Sequence, residues 1–177
     1  MVGLVKALRA QRKRALEMAP PHLCHYFDDR LLVGSWYPEE DFRDLTLLLG
    51  RLTAPSVQGN VWRMIGTLGA QRDFAGIYAA MIRKGQPEWT LRFFPDGWRQ
   101  YRDSGRLVLE ELREGFAVMT LHEYPVMCRA LADVNAGYFE AALTVAGAVD
   151  ARVDVVTHDS SSARWELSWR GKAAASS

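Results

Sequence analysis

Arg106-Leu107-Val108-Leu109-Glu110-Glu111-Leu112-Arg113-Glu114-Gly115-Phe116-Ala117-Val118-Met119-Thr120-Leu121-His122 is the stretch whose reading decides the fold. The hydrophobic periodicity changes after Gly105, from helical spacing to strand-like runs. Arg106 to Leu112 and Phe116 to His122 read as two strands flanking Arg113-Glu114-Gly115, a β-hairpin. A second pair follows, Val153 to Thr157 and Arg164 to Trp169, joined by the polar turn His158 to Ser162. In the last strand Trp165, Leu167 and Trp169 alternate with Arg164, Glu166 and Ser168, which gives one buried and one wet face. Val126 to Val145, between the hairpins, returns to helical spacing. Helices, a hairpin, a helix and a second hairpin predict an α+β fold: a small four-stranded antiparallel sheet packed against several helices.

Upstream, Val2 to Met18 reads as one helix. Leu4, Val5, Leu8 and Leu16 form a partial apolar stripe, and Lys6, Arg9, Arg12, Lys13 and Arg14 make it strongly basic. Pro20-Pro21 stops it. His22 to Leu32 reads as a short helix closed by Gly34. Pro38 suits the first position of the next helix, with Glu39, Glu40 and Asp41 where acidic groups complement the dipole. Phe42, Leu45, Leu48, Leu49 and Leu52 supply its buried face. Val57 to Arg83 is helical by pattern, interrupted in regularity by Gly66 and Gly69 and capped by Gly85. Pro87 opens a helix through Phe93 or Phe94, and another short helix follows Pro95. The resulting division is a basic N-terminal helix over 1–19, one α+β ligand-binding-like domain over 20–170, and a disordered tail over 171–177.

The length of 177 residues suits one domain with a real core, and a net charge of +1 advertises no nucleic-acid partner. Cys24 and Cys128 are far apart and in no CxxC pattern, which suits a reduced, cytoplasmic setting. No apolar run approaches the roughly 20 residues that span a bilayer, and no cleavable signal pattern opens the chain.

No GxSxG, P-loop or paired zinc motif is present, so no catalytic residue is assigned. His22, Cys24 and His25 are the densest cluster of potential ligands, yet Leu23, Tyr26 and Phe27 around them read as ordinary packing. His122 with Glu123 reads as a solvated strand-end pair. Cys128 lies among Val126, Met127, Ala130 and Leu131 and reads as a small hydrophobe. The basic residues Lys6, Arg9, Arg12, Lys13 and Arg14 are the candidate partner-binding set. Their plainer reading is a solvated helix face. Removal of Val2 to Met18 is then expected to impair partner binding and to spare the core.

Several landmarks in order, Trp36-Tyr37-Pro38, Tyr101-Arg102-Asp103-Ser104-Gly105, Gly137-Tyr138 and the closing hairpin to Trp169, span about three quarters of the chain. In that order they resemble a ligand-binding group. It includes 4-vinyl reductase-like sensors, haem nitric-oxide-binding-like domains, TRAPP-like trafficking subunits and a myxobacterial family of unknown function. The resemblance implies a TRAPP-like sheet packed on helices, a homodimer, and a small-molecule or lipid pocket between sheet and helices. Zinc-bearing sensors of the group carry two cysteines eight positions apart in the last hairpin. The matching positions here, near Val155 and Ala163, offer no ligand, so neither zinc nor another metal is expected. No histidine matches the group's proximal haem ligand, and no cofactor is expected.

Trp36, Tyr78, Trp98, Phe116, Met119, Tyr138, Phe139 and Trp165 are the candidate pocket residues. Singly, most of them read as filled core. In a pocket, Tyr78 and Tyr138 are the expected polar contacts, because a buried phenol seeks a partner. The expected function is a non-enzymatic small-molecule-binding or sensory module acting through a protein partner. The alternatives are a structural interaction scaffold without ligand and, last, a cryptic enzyme.

Overall fold

The expected N-terminal helix is two helices. In the computed structural model, which describes residues 1–32, 35–56, 58–76 and 78–171, α1 covers Val2–Arg9 and α2 covers Arg12–Met18. Gln11 between them leaves the helical region, with φ −122° and ψ 34°. Neither Ala10 nor Gln11 is a helix breaker by propensity, so the interruption belongs to tertiary packing. A 3-10 helix over Pro21–Phe27 follows, shorter than the expected helix to Leu32, whose closing Gly34 lies outside the described residues. Then α3 runs over Glu39–Thr53 with Pro38 immediately before it and Glu39, Glu40 and Asp41 in its first turn.

These elements form one compact unit, Met1–Val61. Its core is Val5, Leu8, Ala15, Leu23, Tyr26, Phe27, Leu45, Leu48 and Leu52, with Leu49 partly buried beside them. Leu8 and Ala15 are fully buried, so α1 and α2 are parts of the core. This corrects the expectation that Val2 to Met18 can be removed with the core intact. The unit ends at Val61, away from the sequence-based boundary at 19/20.

The second unit is Trp62–Ser177. Its first helix, α4, covers Val61–Phe74 and stops well short of the expected Arg83; a short 3-10 helix over Ala79–Met81 replaces the remainder. The expected start at Val57 lies outside the described residues. The segment after Pro87 is a single helix, α5, over Pro87–Tyr101, with Pro95 inside it. Then come β1 (Arg106–Arg113), β2 (Phe116–His122), α6 (Arg129–Val145), β3 (Val149–His158) and β4 (Ala163–Arg170).

The four strands form one antiparallel sheet in the order β1-β2-β4-β3, as the two-hairpin pattern predicts. The first hairpin turns on Glu114-Gly115. Gly115 sits at φ 72°, and a Cβ there would lie 2.8 Å from the Trp169 carbonyl oxygen. Register pairs Ala117 with Leu167, Met119 with Trp165 and Leu121 with Ala163, so all six share one face, and all are buried. On that face α5 lies along β1 and α6 along β3 and β4. Thr120, Arg164 and Glu166 occupy the other face, where Arg164 pairs with Glu110. No described helix is long and apolar enough to cross a membrane.

Candidate functional site

The structure distributes the eight candidate pocket residues over several environments. Met119, Phe139 and Trp165 are filled core. The Trp165 ring meets Phe139 edge-on at 5.4 Å, and its Nε1 donates to the Ala132 carbonyl at 3.0 Å. Trp98 donates from Nε1 to the Ser104 carbonyl at 3.0 Å and meets Tyr124 edge-on at 5.3 Å. Phe116 opens β2, with the Arg113 guanidinium 4.1 Å from its ring centre. Trp36 belongs to the first unit and is 63% exposed, so its place is a correction to the expectation of one shared lining.

Tyr78 and Tyr138 converge. Asp73, near the end of α4, lies between them. The Tyr138 hydroxyl donates to Asp73 Oδ2 at 3.5 Å, and the Tyr78 backbone N–H donates to the Asp73 carbonyl at 3.0 Å. Arg72 holds the other carboxylate oxygen at 3.0 Å. Phe74, Phe94, Met81, Ile82 and Val145 pack around this corner. Phe74 stands 5.3 Å from the Tyr138 ring, and Tyr101 stands 4.7 Å from the Tyr78 ring. Burial pushes the Tyr138 phenol far above its ordinary value, and the Asp73 charge adds to the shift. Tyr78 is pushed up to about 12, first by burial and then by its neighbours Tyr101 and Asp73. Both phenols therefore keep their protons at neutral pH. The corner offers hydrogen-bond donors beside one carboxylate within an apolar wall, an arrangement suited to binding.

The corner depends on how closely α4 and α6 cross. A Cβ on Gly66 would lie 2.9 Å from the Tyr138 backbone nitrogen, and one on Gly137 would lie 2.8 Å from Arg63 Cα. Glycine at both positions permits the crossing and sets Tyr138 beside Asp73. Beyond the crossing the two helices border a groove of about 130 Å³, lined by Thr67, Gln71, Glu140, Ala141, Thr144 and Val145. Ala141 also belongs to the aromatic cluster, and Val145 packs against it, so the two features share a wall. Sequence reading missed Asp73 and the groove. Asp73 reads as an ordinary helix charge beside Arg72, and only its adjacency to Phe74 in an apolar run hints at burial.

The basic candidates separate into two sets. Arg9 donates to the Tyr26 carbonyl at 2.6 Å, and Arg12 bonds the Asp28 carboxylate at 2.6 Å. Lys6, Lys13 and Arg14 are exposed. His22 lies 3.3 Å from Asp44, whose carboxyl is held below its ordinary value chiefly by Arg43. His25 stacks on Tyr26 at 4.1 Å. Among the described residues no group of three or more His, Cys, Asp or Glu could hold a metal ion.

The chain belongs to the family described as "Protein of unknown function (DUF2378)", whose profile matches residues 26–170. None of the curated proteins matches it. Among solved structures it is similar to an oxygen-binding H-NOX domain related to soluble guanylate cyclases, with TM-score 0.62 and 16% identity over 95% of this chain and 92% of that one. An H-NOX variant from T. Tengcongensis gives TM-score 0.66 and 13% identity, covering 97% and 96%. An Fe(II) unliganded H-NOX variant from K. algicida gives TM-score 0.64 and 10% identity, covering 96% and 94%. At these identities the likeness establishes an H-NOX-like fold. Of the resemblance read from sequence, its haem nitric-oxide-binding branch is the one these structures represent.

Proposed function

We propose that this member of the family is a non-enzymatic, small-molecule-binding sensory module that acts in the cytoplasm as a homodimer and signals through a protein partner. One observation carries the reading: the Tyr138 phenol donates to the Asp73 carboxylate inside an apolar cluster, and Tyr78 packs against that cluster with its own phenol raised by burial and by the Asp73 charge. A ligand that orders this corner differently in two states shifts a partner equilibrium by its difference in affinity. The likeness to H-NOX domains supports a sensing role at the level of fold. The exposed residues Lys6, Lys13 and Arg14 are the partner contacts in this reading; Arg9 and Arg12 serve the first unit's own packing.

Similar H-NOX structures are described with heme, with Fe(II) or as an oxygen complex. Haem iron takes an axial donor, most often histidine. Here His22, His25 and His158 are exposed, and His122 stands at the end of β2, 3.9 Å from Glu110. These histidines do not fit an imidazole-ligated haem, and the proposed ligand is a different small molecule.

A second reading, a structural scaffold without ligand, is favoured by the filled core at Met119, Phe139 and Trp165. Equilibrium dialysis against a cell extract, read by mass spectrometry, separates the two. The sensory reading expects a compound enriched by the wild type and lost by folded Tyr138→Phe and Asp73→Asn variants. No enrichment, or equal enrichment by all three proteins, contradicts it.

A further inference from the structure

The groove between α4 and α6 has a chemical preference of its own, independent of the phenol corner. Its rim carries two hydroxyls, and each has one hydrogen to give. Thr67 Oγ1 donates to the Gly137 carbonyl at 3.3 Å, and Thr144 Oγ1 donates to the Glu140 carbonyl at 2.9 Å. Both hydrogens are thus committed to helix carbonyls, and each oxygen has only lone pairs left to offer. Glu140 is acceptor-only as well; Arg63 engages its Oε2 at 3.2 Å and also donates to the Val153 carbonyl. Gln71 adds an exposed amide, which brings an acceptor oxygen together with two N–H donors. Ala141 and Val145 contribute an apolar side.

From this lining we propose that the α4–α6 groove binds a small primary ammonium group carried on a short alkyl chain. An ammonium has three donors and no acceptor, the complement of an acceptor-rich rim. Its charge meets Glu140, and its carbons meet Ala141 and Val145. The groove, about 130 Å³ and open on one side, is small and suits a short amine. The carboxylate is half-exposed and already touched by Arg63, so the affinity is weak, in the millimolar range. Selectivity comes from the committed hydroxyls.

The test is an NMR titration of the full-length protein with ethylammonium chloride at constant ionic strength. Tetramethylammonium chloride, which has charge and no N–H, is the comparison. Saturable shifts at Ala141, Thr144 and Val145 are expected with ethylammonium, weakened about tenfold in Glu140→Gln, the loss of one charge-assisted hydrogen bond. Thr144 is exposed, so Thr144→Val leaves the fold in place and is expected to weaken binding by a smaller factor. An absence of saturable shifts overturns the proposal. So does an equal response to tetramethylammonium, or unchanged binding by both variants.

Discussion

Gly66 and Gly137 set the distance between α4 and α6, and Gly66→Ala, with Gly69→Ala as its comparison, tests that closeness. Gly66→Ala drives a methyl group into the backbone of α6, where nothing can rotate away. The expected cost is about 2–3 kcal/mol by urea denaturation, the upper part of the range for overpacking. Gly69→Ala, one turn away, meets only Tyr138 Cδ2 at 3.9 Å. It is expected to be neutral or to stabilise by up to about 1 kcal/mol through helix propensity. The sequence marked both glycines as equal irregularities in a helical pattern; only the neighbouring helix distinguishes them. Tyr78 shares the alkaline pH dependence with Tyr138 and Tyr26, whose phenols are also raised by burial. The Tyr78 pKa is raised from 10.0 to about 12, so the folded state retains a proton that the unfolded state releases. Stability is therefore full below about pH 10 and falls as pH rises towards 12. Tyr78→Phe is expected to remove its share of that slope in alkaline denaturation curves, leaving the share of Tyr138 and Tyr26, and an unchanged slope would show that Tyr78 does not contribute. Tyr78 and Tyr138 were legible as polar contacts, because a phenol within an apolar set needs a partner. Asp73 was not legible, because its partner Tyr138 lies on a helix more than fifty residues further along the chain.

At the scale of elements, the hairpins were readable and the helix ends were not. Alternation in Arg164 to Trp169 specified a two-faced strand, and the observed burial follows it. The strand register adds what alternation lacks: Met119 lies opposite Trp165, so both enter the core beneath α6. The N-terminal segment shows the opposite case. Its basic residues drew attention to a partner, while its apolar residues form the first unit's core. Leu8→Ala is expected to cost about 2–5 kcal/mol, the ordinary penalty for an emptied core site. A Lys13→Glu, Arg14→Glu double variant is expected to change stability by less than about 0.5 kcal/mol, because both side chains are exposed. Circular dichroism with thermal melts checks the pair together. A fold indifferent to Leu8→Ala would contradict the core assignment. The helix after Val61 ended early for a related reason. The pattern from Phe74 to Ile82 has helical spacing, but the chain turns at Gly76 and packs Met81 and Ile82 against the aromatic cluster.

For the whole molecule, the α+β class and the four-stranded sheet followed from the order of elements, and an H-NOX-like fold is what the similar structures share with it. A fold hosts many functions, so the ligand must be argued from the site. The residues that would identify the ligand are few and dispersed: two tyrosines and an aspartate brought together by α4, α6 and the segment after α4. No local motif announces them. Native mass spectrometry of the untreated purified protein tests the sensory account most directly, because it reports assembly and bound small molecules together. The account expects a dimer carrying additional mass that is lost in Asp73→Asn. A ligand-free monomer that takes up nothing from a cell extract would contradict it.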